Sequence, residues 1–175
     1  TNFATIGGTV DNTQTLAGSV YVAGDINVSP TDTLNVQAGS TIRFRPNYDS
    51  QFTGSDAARS EFTVWGALRS MGSATDSVLW ESAKSPPSPG DWKGLRLEGA
   101  AGNASSRLEY TVVRHGYHGI YTNGMAPTIR NSRIQHSQFY GILVQNAGPL
   151  IEYSVLEQNH GAELASMLGG APNLR

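Results

Sequence analysis

Three charged residues recur at nearly even intervals in the second half of the chain. Glu109, Arg130 and Glu152 are separated by 21 and 22 residues. On an outward face of a repeating structure they stack as a charge ladder, with the guanidinium between the carboxylates. Held instead at one spot, such acids are what general acid–base chemistry requires. Four histidines lie beside glycines or turn residues. Arg114-His115-Gly116-Tyr117-His118-Gly119 carries two, His136 follows His115 by 21 residues, and Asn159-His160-Gly161 carries the fourth. Their common spacing predicts that His115 and His136 stack at a loop corner. Aromatic residues are the other lead. Trp65, Trp80, Trp92, Tyr117, Tyr121, Phe139 and Tyr140 fall near turns or at outward strand positions. Rings lying flat on a sheet stack on sugars, and Tyr117, Tyr121, Phe139 and Tyr140 are the candidate carbohydrate platform. Trp80 and Trp92 have a second reading, packed beneath a proline-rich loop. No phosphate-cradling glycine loop, zinc-binding helix or nucleophile elbow occurs, so no catalytic residue, metal ligand or cofactor is assigned.

The elements that must position these residues are written in the composition. The 175 residues include 20 Gly, 8 Pro and no Cys, with a net charge of -2. Charged residues make up 15% of the chain, well below the ~25% of an ordinary soluble domain. With neither net positive charge nor a basic run, no nucleic-acid partner is expected. No apolar run reaches the ~18 residues of a membrane span. Zero Cys excludes disulfides and thiolate zinc sites. Ser, Thr and Asn number 43, interleaved with Val, Ile and Leu, a mixture that suits strands and turns.

An internal repeat of about 22 residues fixes the architecture. Leu108-Glu109-Tyr110-Thr111-Val112-Val113, Ile129-Arg130-Asn131-Ser132-Arg133-Ile134 and Ile151-Glu152-Tyr153-Ser154-Val155-Leu156 are copies of one segment, and another begins at Leu174. Pro127, Pro149 and Pro172 precede the later copies in register. Each repeat holds short runs of period-2 alternation broken by Gly, Pro, Asn or Ser, and none holds a helical stretch. This excludes helical repeats, and a propeller blade needs ~40 residues. What remains is a solenoid of parallel strands, with equivalent residues stacked ~4.8 Å apart. Three inward stacks are predicted: Leu108, Ile129, Ile151; Val113, Ile134, Leu156; and Ile120, Ile142, Ala162.

The first half follows the same grammar, with strands predicted at Ser19–Val22, Asp25–Val28, Thr33–Val36, Thr41–Phe44, Glu61–Val64, Val78–Trp80 and Gly94–Leu97. Residues 46–60 read as a polar excursion, and 83–91, with three prolines, as a loop. Residues 1–16 are expected to form an N-terminal cap on a single domain spanning 1–175. The chain opens at Thr1 and closes in mid-repeat at Arg175, which leads to the expectation of a processed or partial chain whose open C-terminal end meets further coils or a partner.

Gly24-Asp25-Ile26-Asn27-Val28, Leu34-Asn35-Val36-Gln37-Ala38-Gly39-Ser40-Thr41-Ile42-Arg43-Phe44, Val64-Trp65-Gly66-Ala67-Leu68 and Gly90-Asp91-Trp92-Lys93-Gly94-Leu95 together resemble the opening of bacterial secreted right-handed parallel β-helix proteins, of the pectate-lyase-like superfamily. The resemblance runs from about Val20 to Arg175. It implies an all-β, right-handed parallel β-helix of six to seven coils and an extracellular, cell-surface or periplasmic setting. It also implies asparagine at a tight turn, where this chain has Tyr110, Asn131 and Tyr153, so a continuous amide ladder is absent. Lyases of the superfamily cluster carboxylates around Ca²⁺, but no Asp follows Glu98. Its hydrolases use paired aspartates, which have no counterpart here. The expectation is therefore a non-catalytic structural or binding module, a rigid rod with a polysaccharide or protein partner. The alternatives are a polysaccharide-active lyase or hydrolase, and a glycan-binding adhesin.

Overall fold

A computed structural model describes residues 4–99 and 106–175. Every regular element in it is a β-strand, and every strand ladder is parallel. β1 (Ala4–Val10) lies over the first coil, which comprises β2 (Gln14–Leu16) and β3 (Ser19–Val28). The second coil is β4 (Thr33–Gln37), β5 (Thr41–Phe44) and β6 (Phe62–Val64). The third is β7 (Ala67–Met71), β8 (Val78–Ser82) and β9 (Leu95–Glu98). The fourth follows with β10 (Arg107–Glu109), β11 (Thr111–Arg114) and β12 (Ile120–Asn123). β13 (Thr128–Arg130), β14 (Arg133–Gln135) and β15 (Tyr140–Gln145) make the fifth. β16 (Leu150–Glu152), β17 (Val155–Glu157) and β18 (Ala162–Met167) make the sixth, and β19 (Asn173–Leu174) begins another turn.

The strands form three faces of a parallel β-helix. Face I is β2-β4-β7-β10-β13-β16-β19. Faces II and III are joined because β3 is long enough to serve both. Its first half pairs with β5 and its second with β6, so the two expected strands at 19–22 and 25–28 are one bent strand. β1 copies the bend, its register jumping between Ile6 and Gly8. From there face II runs through β8, β11, β14 and β17, and face III through β9, β12, β15 and β18. Of the segment 1–16 expected to cap the helix, β1 lies parallel on β3 and β2 on β4, while residues 1–3 lie outside the described residues. β7 was absent from the predicted strands, because Ala67-Leu68-Arg69-Ser70-Met71 has few β-branched residues.

Alternate residues fill the interior in columns. Val36, Ser70, Leu108, Ile129, Ile151 and Leu174 share one on face I. Val20, Ile42, Trp80, Val113, Ile134 and Leu156 share one on face II. On face III the column is Ile26, Phe62, Leu95, Ile120, Ile142 and Leu164. Leu164 thus takes the place expected of Ala162, which pairs with Tyr140. Gly161 comes two residues too early to match Gly141. A shift of two keeps the same side chains inward, so the larger Leu164 fills the core.

Trp80 and Trp92 are fully buried and offer no surface to a ligand. Trp92 stacks on Phe44 at 3.9 Å, Phe62 meets Trp80 edge-on at 4.9 Å, and both indole N–H groups are satisfied. Trp92 donates to the Arg114 carbonyl (2.9 Å) and Trp80 to the Ser70 hydroxyl (3.1 Å).

That serine begins an interior hydroxyl ladder at the corner between faces I and II. Ser70 and Thr111 hydroxyls are 2.9 Å apart, the Thr111 N–H donates to Ser132 Oγ (3.1 Å), and the Ser132 N–H donates to Ser154 Oγ (3.2 Å). Tyr110, Asn131 and Tyr153 occupy the preceding turn positions with φ of 45°, 48° and 48°. Asn131 separates the two tyrosines by two coils, so their rings do not stack. Arg130 instead lies over Tyr153 at 5.5 Å.

Ile129→Ala removes a fully buried link from the middle of a column. It is expected to cost ~2–5 kcal/mol in urea unfolding followed by circular dichroism, whereas Val155→Ala, at an exposed position, stays within ~0.5 kcal/mol.

Candidate functional site

The connections between faces I and II are short in the second half of the chain, a single residue at Tyr110. Those between faces II and III run from four residues to the 17 of segment 45–61. The candidate platform lies at this second corner, where the longer loops of coils two and three lean toward it.

Segment 45–61 is held down by carboxylates. Asp49 accepts the N–H groups of Gln51 (3.0 Å) and Thr53 (2.9 Å). Asp25 accepts the Thr53 hydroxyl (2.7 Å) and the Glu61 N–H (2.8 Å), and Glu61 accepts the Ser55 N–H (2.8 Å) and hydroxyl (2.6 Å). Burial pushes the Asp25 carboxyl above its usual range, with the Asp49 and Glu61 charges adding to the effect. Gly24 lets the loop close over the strand, since a Cβ there would lie 2.2 Å from Gln51 Oε1. Sequence reading missed this cluster, because Asp25, Asp49 and Glu61 meet only through a loop that carries no repeat signal.

The loop also delivers Asp56 and Arg59. Asp56 pairs with Arg59 (2.7 Å) and with Lys93 (3.4 Å). Burial works against its ionised form, but the Ala58 N–H and the two cations outweigh that and hold its carboxyl below the usual range. Lys93 Nζ then sits 4.5 Å from the Tyr117 ring centre, and the Arg59 guanidinium 5.4 Å from it.

Lys93, Tyr117 and Phe139 belong to consecutive coils. Trp92 bridges Gly116 in parallel register, and the Phe139 N–H donates to the Tyr117 carbonyl (2.9 Å). Tyr117 and Phe139 rings are 4.7 Å apart. A second pair runs alongside, with His118 stacked on Tyr140 at 5.3 Å and 9° between planes. His118 meets Tyr117 edge-on at 4.8 Å. Gly94, at φ +107°, lets the next coil come close, since a Cβ there would lie 2.0 Å from the His118 carbonyl oxygen. Three of the four expected platform residues, Tyr117, Phe139 and Tyr140, therefore form one ridge, and His118 joins them. Phe139 is its open crest, 40% exposed.

Tyr121 is held differently. It points outward from β12 beneath the Arg96 guanidinium (4.8 Å), and its hydroxyl donates to Gln145 (2.8 Å). Trp65 is also exposed, on the far side of β6. His118 and Lys93 were missed as ridge members, although Trp92-Lys93-Gly94 and Tyr117-His118-Gly119 share an aromatic-basic-Gly pattern.

The remaining candidates lie elsewhere. Glu109, Arg130 and Glu152 are in register on face I, with Arg130 3.7 Å from Glu152, which Arg175 approaches at 3.9 Å. They form an outward charge ladder. His115 and His136 stack at 5.7 Å and 10°, at left-handed turn positions. Burial, followed by the nearby Arg114 and His136, pushes His115 down to about 4. Burial, with Lys93 and Arg96 beside it, does the same to His118. No family description, curated protein or solved structure matches this chain.

His115 and His118 stay neutral in the folded state down to about pH 4, whereas unfolded they protonate near pH 6.5. The unfolded chain therefore binds more protons between about 4 and 6.5, and stability falls as pH drops through that window. The melting temperature is expected to decline from pH 6.5 to 4, with a shallower slope in His115→Asn, since Asn accepts the left-handed turn. An identical slope in that variant would count against this assignment.

Proposed function

We propose that this chain is a non-catalytic, rigid β-helical module that binds carbohydrate along the ridge of Tyr117, His118, Phe139 and Tyr140. The reading is carried by one observation: aromatic residues from successive coils form a continuous ridge at one corner, with Phe139 exposed at its crest. A sugar ring offers C–H groups to an aromatic face, and rings already packed against one another lose little entropy on binding. Lys93 and Arg59 at one end of the ridge add hydrogen-bond donors. The carboxylates near the ridge support binding over turnover. Asp25, Asp49 and Glu61 spend their oxygens on loop N–H and hydroxyl groups, and Asp56 on two cations.

The sixth coil supplies a second surface for the same module. Ile151, Tyr153, Leu156, Leu164 and Leu174 line a hollow of about 380 Å³, and the outer edges of β17, β18 and β19 face away from the stack. A further coil or a protein partner adding parallel strands there would bury that apolar end. A secreted or cell-surface setting fits a rod of this kind.

Affinity electrophoresis against neutral and acidic polysaccharides tests the ridge. Tyr117→Ala and Phe139→Ala are expected to weaken retardation about tenfold each while circular dichroism stays native. Release of new chain ends from any of these polymers, lost in Glu109→Gln or Glu152→Gln, would replace the binding reading with a polysaccharide-cleaving one.

A further inference from the structure

Eight of the ten arginines have a partner against the guanidinium. Arg43 and Arg114 share Glu81, Arg59 has Asp56, Arg96 has Glu61 and Glu98, and Arg133 has Glu157. Arg130 and Arg175 share Glu152, and Arg45 lies 3.6 Å over the Tyr48 ring. Arg69 and Arg107 are the exceptions among the described residues, and they are neighbours. β7 and β10 pair with Arg69 opposite Arg107, both exposed on the outer side of face I.

Like charges in register on adjacent strands, ~4.8 Å apart, repel. The surroundings do little to relieve this. The same outward column continues to Asn35 on one side and Thr128 on the other, both polar and uncharged. The adjoining outward column holds Gln37, Met71 and Glu109, and Glu109 faces Arg130 on the next strand. Ala67, two residues before Arg69, is buried and apolar.

We propose that Arg69 and Arg107 form an oxyanion site on face I, taking a tetrahedral sulfate or phosphate group between their two guanidinium forks. Each fork presents paired N–H donors that match such an anion bidentately, and two forks one strand apart address different oxygens of it. Thr128 adds a hydroxyl along the axis of the column, while the Asn35 amide at its other end donates to the Gln14 carbonyl (3.4 Å). The site is independent of the aromatic ridge, which lies at the corner between faces II and III, so either can fail alone.

Isothermal titration with sodium sulfate and sodium phosphate, at ionic strength matched with chloride, reads the site directly. The expected result is saturable binding in the native chain, weakened about tenfold in Arg69→Gln and in Arg107→Gln, with Arg133→Gln unchanged. Without anion, Arg69→Gln is expected to melt no lower than the native chain, because it removes a repulsion. Glucose 6-sulfate and glucose 6-phosphate then separate the two ester sources by which one competes better. Equal binding by the native chain and the double variant, or none by the native chain, would overturn the proposal.

Discussion

Everything in this molecule depends on one constraint: each coil must meet the next in parallel register at the spacing of a β-ladder. Parallel strands leave both backbone edges to be satisfied by neighbouring coils, so a residue's inward or outward direction is inherited along the stack. The three interior columns follow from it, and so do the outward ones. Arg43, Glu81 and Arg114 come together because register brings opposite charges opposite one another. Arg69 and Arg107 come together by the same rule, which acts without regard to charge.

Much of this was legible in the sequence because the repeat is a direct image of the coil. The spacing of Leu108, Ile129 and Ile151 placed face I, and the matching of His115 with His136 placed a stacked pair that the structure contains. Legibility failed where the chain departs from the repeat. Gly161 imitated Gly141 in type but not in register, and so Leu164 was passed over for Ala162. Trp80 and Trp92 sat beside turn-forming residues and were open to two readings. In the fold Trp80 is in register between Ile42 and Val113, and Trp92 turns onto Phe44.

The ridge was half legible for a related reason. Tyr117, Phe139 and Tyr140 belong to the regular coils, and their meeting follows from the period. The cations above them come from irregular segments. Arg59 reaches Tyr117 only because Asp25, Asp49 and Glu61 pin a 17-residue loop back onto the stack. Polar burial is costly unless paired, and here the buried carboxylates turn that cost into a fixed loop position. Among the described residues they are structural anchors for the site and stand apart from its open surface.

The unequal corners have one more consequence. At the face I to II corner, coils four to six connect through one or two residues with a hydroxyl ladder running inside, which leaves little room for added residues there. At the face II to III corner, connections of 4, 5, 12 and 17 residues all return the chain to the same register. Length there is uncoupled from the stack. Residues can be gained or lost at that corner without shifting the three strand columns, although Trp92, in the third coil's connection, is itself a core side chain packed on Phe44. The molecule thus separates a spine of fixed geometry from a margin of variable length, and the aromatic ridge stands on the margin.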